Sequence, residues 1–257
     1  MILPRSAEGT KVADHQPIML LTGASRGIGH ATVKLFQERG WRILTVSRQP
    51  FDPACAWPAA RMSHITADLS DLSGIERLAE DVRARLPDGR LHALVNNAGI
   101  SPKGPDGGRL GVLDSDLSVW SSVLNVNLVS IALLVRALAP ELEAAAGSVV
   151  NVTSIVGSRV HPFAGAAYAV SKAGLAALTR EMAHELGQRN VRVNAIAPGE
   201  ISTAILSPGT DQLVASDVPM KRLGAPREVA ETIYFLCSPA SSYINGAEIH
   251  INGGQHV

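Results

Sequence analysis

Short apolar runs and helical stretches alternate along this chain from residue 18 to residue 251, with no linker, repeat or low-complexity tract between them. The runs at 18–22, 42–46, 64–67, 91–95, 148–152, 191–195 and 248–251 have the length and composition of strands. Between them, residues 27–39, 71–86, 119–142, 166–187 and 226–236 carry a helical period. Gly40 stops the first helix and Pro226 starts the last one. Such alternation restricts the chain to right-handed crossovers, and hence to a parallel sheet with helices on both faces. The expectation is an α/β, single-domain, Rossmann-type doubly wound parallel sheet of about seven strands. Residues 17–257 would form one dinucleotide-binding catalytic domain, preceded by a polar, flexible arm at 1–16. Apolar residues make up 46% of the chain but aromatics only 4%. That surplus of Ala, Val, Leu and Ile suits strands covered on both sides.

Lys plus Arg and Asp plus Glu number 23 each, so no global field favours nucleic acid or an anionic membrane. Cys55 and Cys237 have no CxxC or Cys/His partner and read as reduced packing residues, with no metal expected. No run approaches the ~20 apolar residues of a membrane span. The arm has no apolar stretch of the kind a secretory signal needs. A cytoplasmic location is expected by default.

Directly after the first strand comes Thr22-Gly23-Ala24-Ser25-Arg26-Gly27-Ile28-Gly29. Glycines there let the backbone turn tightly and approach a pyrophosphate, and the following helix offers its free N–H groups. The spacing is GxxxGxG, not the commoner GxGxxG, and a tight connection with no ligand is the bland alternative. Strand two ends Val46-Ser47-Arg48, where an acidic residue would bind the ribose hydroxyls of NAD. A guanidinium at Arg48, with Arg26 in the turn, can hold a 2′-phosphate by charge-assisted hydrogen bonds. This favours NADP(H), with NAD(H) and a merely solvated Arg48 as the alternatives.

Tyr168 and Lys172 are four apart in a helix and share one face. A free tyrosine, pKa near ~10, is a poor proton donor and acceptor at neutral pH. A nearby ammonium stabilises the phenolate and is expected to lower that value. Taken alone, the pair is often a half-buried ring beside a solvated amine. Ser154, just past the fifth strand, is placed to hydrogen-bond a substrate oxygen. Asn127 is an amide inside an apolar helix, where packing alone favours Leu or Ala. The irregular segments 101–118 and 204–219 both follow strands, which puts them at the carboxyl edge of the sheet.

Taken together, Thr22-Gly23-x3-Gly27-Ile28-Gly29, Asn96-Asn97-Ala98-Gly99, Asn127, Ser154, Tyr168-x3-Lys172, Pro198-Gly199 and Asn252-Gly253-Gly254 resemble the short-chain dehydrogenase/reductase family in order and spacing. Among its members, the chain is similar to 3-oxoacyl-[acyl-carrier-protein] reductases and related carbonyl reductases. The resemblance implies that Tyr168 passes a proton to or from the substrate oxygen and that Ser154 orients that oxygen. Lys172 would tune the tyrosine and hold the nicotinamide ribose, while Asn127 fixes a water that relays protons to Lys172. Asn97, Ala98 and Gly99 would line the adenosine side, with Asp68 and Leu69 near the adenine. Pro198, Gly199, Ile201 and Thr203 would surround the nicotinamide end. The activity implied is hydride transfer between NADP(H) and a small carbonyl or secondary alcohol. An NAD-dependent sugar or small-alcohol dehydrogenase is the alternative, and a non-catalytic NADP(H) sensor a further one.

Ser154 and Tyr168 stand fourteen positions apart, where many relatives have thirteen. The extra residue is expected to bulge within 159–163. His161, in that loop, has no carboxylate near it in sequence and reads as a residue near the substrate mouth. The resemblance also implies a homotetramer. The helix at 119–142 adds to this, because Val123, Val126, Leu128, Ile131, Leu134, Val135 and Leu138 leave it apolar on more faces than one sheet covers. The Ala-rich segment 164–177 would permit close approach of a second copy.

Overall fold

A computed structural model describes residues 16–50, 64–105, 107–203 and 206–257. Residues 1–15 of the expected arm, and Cys55, lie outside the described residues. Strands β1 (Ile18–Thr22), β2 (Arg42–Ser47), β3 (His64–Thr66), β4 (Ala93–Asn96), β5 (Ser148–Val152), β6 (Arg192–Pro198) and β7 (Glu248–Ile251) pair in parallel throughout. Their spatial order is β3-β2-β1-β4-β5-β6-β7. From β1 the chain builds outward to β3, then crosses back to place β4 on the other side of β1. At that reversal the connections leave in opposite directions and open a crevice at the carboxyl ends of the strands.

The two-residue period of a strand sends alternate side chains to opposite layers. Ile18 and Leu20 of β1 join one apolar cluster, with Leu78, Val82, Leu134, Leu138 and Leu175. Met19 and Leu21 join the other, with Val33, Phe36, Val229 and Ile233. The first layer belongs to α2 (Ile75–Arg83), α4 (Ser130–Ala144) and α5 (Ala166–Gly187), and the second to α1 (Gly27–Glu38) and α7 (Pro226–Cys237). Phe36 of α1 meets Trp41 and Tyr234 edge-on, with centroids 5.1 and 5.2 Å apart. β1, β4 and β5 are buried at every residue, which is why their sequences are largely apolar and why Asn96, Ser148 and Asn151 find hydrogen-bond partners inside the chain. Gly40 ends α1 at φ +80°, a conformation that disfavours any residue with a Cβ. Pro226 opens α7, and the Glu228 carboxylate accepts the Ala225 N–H at 2.7 Å.

The long helix is more structured than its pattern suggested. Residues 117–144 form one helical stretch, starting at Leu117 because the Asp116 carboxylate accepts the Val119 N–H at 2.9 Å. Within it, α3 (Leu117–Leu124) passes through a π-helical turn, Asn125–Val129, into α4. By length and composition this stretch is apolar enough to cross a membrane, which corrects the expectation that no such run exists. Ser121, Ser122, Asn125, Asn127 and Ser130 had hidden it by breaking the apolar run. In the fold it lies on the sheet, with half of its most apolar window buried.

A second correction concerns the same helix. Val123, Val126, Ile131, Leu134, Val135 and Leu138 are all buried within this one chain, and Leu128 packs against the same cluster. The helix is flanked by α2 on one side and α5 on the other, so these seven residues pack within the chain, while Leu117 at its start stands exposed. Finally, α6 (Thr210–Asp217) lies inside the segment expected to be irregular. Its eight residues carry almost no amphipathic period, and nothing in the pattern marked it as a helix.

Candidate active site

The turn after β1 is shaped by what its glycines allow. Gly23 has φ +76°, and a Cβ there would stand 2.8 Å from the Ala98 Cα. A Cβ on Gly29 would stand 2.1 Å from the Gly23 carbonyl oxygen. The turn is therefore pressed against the end of β4, and Asn97 locks the contact. Asn97 Nδ2 donates to the carbonyls of Thr22 at 3.1 Å and Gly23 at 2.8 Å. Thr22 Oγ1 in return accepts the N–H groups of Asn97 and Ala98, both at 3.1 Å. Arg26, the residue preceding α1, makes no side-chain cap, and the first turn of α1 holds no carboxylate. Its free N–H groups and positive dipole end face the crevice with no internal anion to satisfy them.

A cleft of about 580 Å³ opens there, lined by Gly23, Ser25, Arg26, Gly27 and Ile28 from the turn, and by Asn97, Ala98 and Gly99 from the end of β4. Arg48, Asp68 and Leu69 form its far wall. The Asp68 carboxylate accepts the N–H and hydroxyl of Ser70 at 2.9 and 2.8 Å, which together with the nearby Arg48 holds its pKa below the ordinary value. Gly29 does not line the cleft; it backs the turn.

A second cavity, about 250 Å³, continues from the first through Ile28, Asn97, Gly99, Ile100 and Thr203. Ser154, Tyr168, Lys172, Pro198, Gly199 and Ile201 line it. Ser154 begins a short turn after β5, its hydroxyl accepting the Val156 N–H at 3.3 Å. It stands beside the Tyr168 phenol in the same cavity and acts to lower that group's pKa. That pairing survives the fourteen-residue spacing because Ser158, Arg159 and Val160 loop out to solvent. Lys172 is buried, and its Nζ donates to the Val152 carbonyl at 2.6 Å while lying 5.7 Å from the Tyr168 ring centroid.

The electrostatics differ from the sequence expectation. Burial pushes the Tyr168 phenol up from its ordinary value, and the neighbouring Ser154 hydroxyl only partly offsets this. Burial likewise lowers Lys172 to about 8. Desolvation disfavours the charged form of each group, and the ammonium is already engaged by a backbone carbonyl, so the expected lowering of the phenol is outweighed.

Asn127 lines neither cavity. It sits fully buried in the π-helical turn, its Oδ1 accepting the Ile100 N–H at 2.8 Å. Its Nδ2 donates to the Ile100 carbonyl and to Ser171 Oγ, both at 3.0 Å. Asn127 thus pins the backbone after β4 to the Tyr168 helix. Its neighbourhood with Lys172 runs across Gly99, where a Cβ would sit 3.4 Å from Asn127 Oδ1 and 3.5 Å from Lys172 Nζ.

The chain matches a family described as Enoyl-(Acyl carrier protein) reductase over residues 23–256. A solved oxidoreductase of the short-chain dehydrogenase/reductase family from Brucella ovis, in complex with a partially ordered NAD, is 54% identical over 93% of this chain and 100% of that one, with a TM-score of 0.81. The chain belongs to the short-chain dehydrogenase/reductase family. Among curated relatives, Protein FixR of Bradyrhizobium diazoefficiens is 56% identical over 93% of this chain and 87% of its own. The 3-oxoacyl-[acyl-carrier-protein] reductase FabG of Vibrio harveyi is 35% identical over 93% of this chain and 97% of its own.

As a short-chain dehydrogenase/reductase, the chain also carries pocket residues that its motifs did not reveal. Lys103, Phe163, Glu200, Ser207 and Thr210 line the smaller cavity. Lys103 reaches across to the Phe163 carbonyl and, at 3.3 Å, to Ser207 Oγ. Burial lowers its pKa. His161, read from sequence as a residue without a carboxylate, has one: Glu200 Oε1 lies 2.7 Å from its Nε2. Thirty-nine positions separate the two, too far for a sequence pattern to connect. The one signal was Glu200 itself, an acidic residue inside the Pro198-Gly199-x-Ile201 motif.

Proposed function

We propose that this protein is an NADP(H)-dependent oxidoreductase acting on a small carbonyl or secondary alcohol, with Tyr168 as the proton donor and acceptor. The observation that carries this reading is that Ser154, the half-buried Tyr168 and Lys172 line one cavity, continuous with the dinucleotide-sized cleft. The cleft fits such a cofactor: the Gly23 turn leaves no room for a Cβ, and the uncapped start of α1 suits a pyrophosphate. When bound, the nicotinamide supplies or accepts the hydride. Ser154 donates a hydrogen bond to the substrate oxygen, and Tyr168 delivers its proton as that oxygen becomes an alcohol. The phenolate left behind is stabilised by Lys172, which is charged below its pKa of about 8. Pro198, Gly199, Ile201 and Thr203 shape the end of the cavity where hydride and oxygen must meet.

Arg48 and Arg26 both line the adenosine end, which supports NADP(H) over NAD(H). The NAD in the Brucella ovis relative favours a second reading, an NAD-dependent dehydrogenase of small alcohols or sugars. Binding of NADPH and NADH to the wild type and to Arg48→Ala separates the two. NADPH affinity that falls about tenfold in the variant, with NADH unchanged, supports the first, since an exposed charge-assisted contact contributes about 1.5 kcal/mol. Equal binding indifferent to Arg48 supports the second. Tyr168→Phe tests the chemistry: turnover falls at least about 100-fold while cofactor binding persists. Undiminished turnover in that variant refutes the proton role. Cofactor binding with no turnover on any carbonyl or alcohol points instead to a sensor.

We propose a cytoplasmic setting, where NADPH is kept reduced and the reaction runs as a reduction. We also propose a homotetramer, on the ground of exposed apolar side chains rather than the buried ones of the long helix. Val170, Ala173 and Ala177 are exposed along one stripe of α5, beside exposed Leu117, Val112 and Leu113. A monomeric mass by light scattering at micromolar concentration refutes it.

A further inference from the structure

His161 and Glu200 reach the smaller cavity from two different loops, one after β5 and one after β6. Both side chains are only 9% exposed. A charge buried this far costs stability that an apolar pair of similar volume would not, so packing gives no reason for a carboxylate here.

The imidazole is held from two sides. Phe163 donates its N–H to Nδ1 at 3.2 Å, and the Phe163 ring packs edge-on with centroids 5.7 Å apart. Phe163 is itself fixed, its carbonyl taken by Lys103. A ring nitrogen that accepts carries no proton, so Nε2 carries it and donates to Glu200 Oε1. The imidazole is then neutral and Glu200 keeps its negative charge. Among the described residues no donor reaches Glu200 Oε2, and that oxygen is not sealed away from the cavity.

A carboxylate oxygen only accepts hydrogen bonds, so the group it takes must be a donor. An ammonium would meet Lys103, which lines the same cavity; a neutral hydroxyl meets no such repulsion. Ser154 and Tyr168 share the cavity, so the hydroxyl belongs to the molecule whose oxygen they handle. A volume near 250 Å³, part of it beside Pro198 and Gly199, leaves space for a short carbon skeleton. The geometry points to Glu200 as the specificity-determining residue of this pocket, accepting a hydrogen bond from a hydroxyl next to the reacting carbonyl of a short hydroxy ketone. His161 is the positioning residue that holds it. The inference rests on the carbonyl-reductase reading above.

The test compares kcat/KM for hydroxyacetone against acetone, and for acetoin against butanone. Wild type favours the hydroxylated partner roughly 10- to 100-fold, the range of one charge-assisted hydrogen bond. Glu200→Gln, nearly isosteric, and Glu200→Ala bring that ratio close to one, chiefly by weakening the hydroxy ketone. His161→Phe lowers the ratio too, whereas His161→Gln, which retains an N–H donor, restores part of it. A residue that served only the fold would lower both ketones together and leave the ratio in place. A wild-type ratio near one, or a ratio indifferent to Glu200, overturns the proposal. If wild type reduces none of the four ketones, the oxidoreductase reading is what fails, and Glu200 is then judged by binding. Saturation-transfer NMR of acetoin on the NADPH-loaded protein supports the proposal if Glu200→Ala loses the signal. Equal signals, or none in wild type, overturn it.

Discussion

Replacing Gly29 by alanine tests whether the turn after β1 is set by contact distance. The added Cβ would stand 2.1 Å from the Gly23 carbonyl oxygen and 2.7 Å from Asn97 Nδ2. Carbon and oxygen normally stay more than about 3 Å apart, so backbone must move by about 1 Å, and backbone has no rotamer to swing away. Overpacking of this kind costs about 3 kcal/mol, at the upper end of its range. The better helix propensity of alanine returns at most about 1 kcal/mol. The net loss of about 2 kcal/mol lowers the melting temperature by about 4–8 °C for a chain of this size. Because the displaced carbonyl also anchors Asn97, the adenosine cleft distorts with it, and NADPH affinity falls at least about tenfold. Gly40→Ala is the control. Gly40 has φ +80°, and a Cβ added there would meet no atom within 4 Å, so it loses only about 1–2 kcal/mol of backbone preference and leaves cofactor affinity alone. Thermal melts by circular dichroism and fluorescence titrations, at one protein concentration, read both quantities. A Gly29→Ala protein that melts within a degree of wild type and binds NADPH equally well would falsify the contact argument.

Further outcomes follow from the same site. Asn127→Leu leaves both polar groups of Ile100 and the Ser171 hydroxyl without their partner; a loss of about 2–4 kcal/mol is expected, seen as a melting point lower by several degrees and reduced turnover. The ketone-reduction rate should fall as pH rises through about 8, because Lys172 loses its proton there and no longer stabilises the phenolate; a flat profile to pH 10 would exclude that role. The same lowered pKa has an opposite sign for stability: above about 8 the unfolded lysine still holds a proton that the folded one has released, so this group adds stability as pH rises toward 10.5. Urea titrations at pH 7 and 9 read that contribution. Cys237, buried and pushed up to about 12, should resist a thiol reagent at neutral pH until the protein unfolds.

Most of the framework was legible from local chemistry. β1, β5, α5 and β7 fall where their patterns placed them, since a short apolar strand and a long Ala-rich helix each announce themselves in local composition. Boundaries moved where a distant partner decided them. β6 extends to Pro198 because β7 pairs with its last residues; the start of α3 at Leu117 was local and readable, since the adjacent Asp116 caps it. The π-helical turn at Asn125–Val129 could not be read, because it depends on Asn127 bonding a backbone 27 positions away.

The sequence by itself determined the sheet, the glycine turn and the presence of Tyr168, Lys172 and Ser154 on elements that converge at one edge. Those facts follow from periodicity and from spacings of a few residues, which the backbone geometry of a helix or turn converts directly into position. Tertiary structure alone decided how deeply the phenol and the ammonium are buried, and therefore which way their pKa values move. It also decided that Val123, Val126, Ile131, Leu134, Val135 and Leu138 of the long helix pack within one chain, and that His161 meets Glu200. Each of these depends on which surfaces exclude water together, and that is settled only when segments far apart in sequence pack against one another.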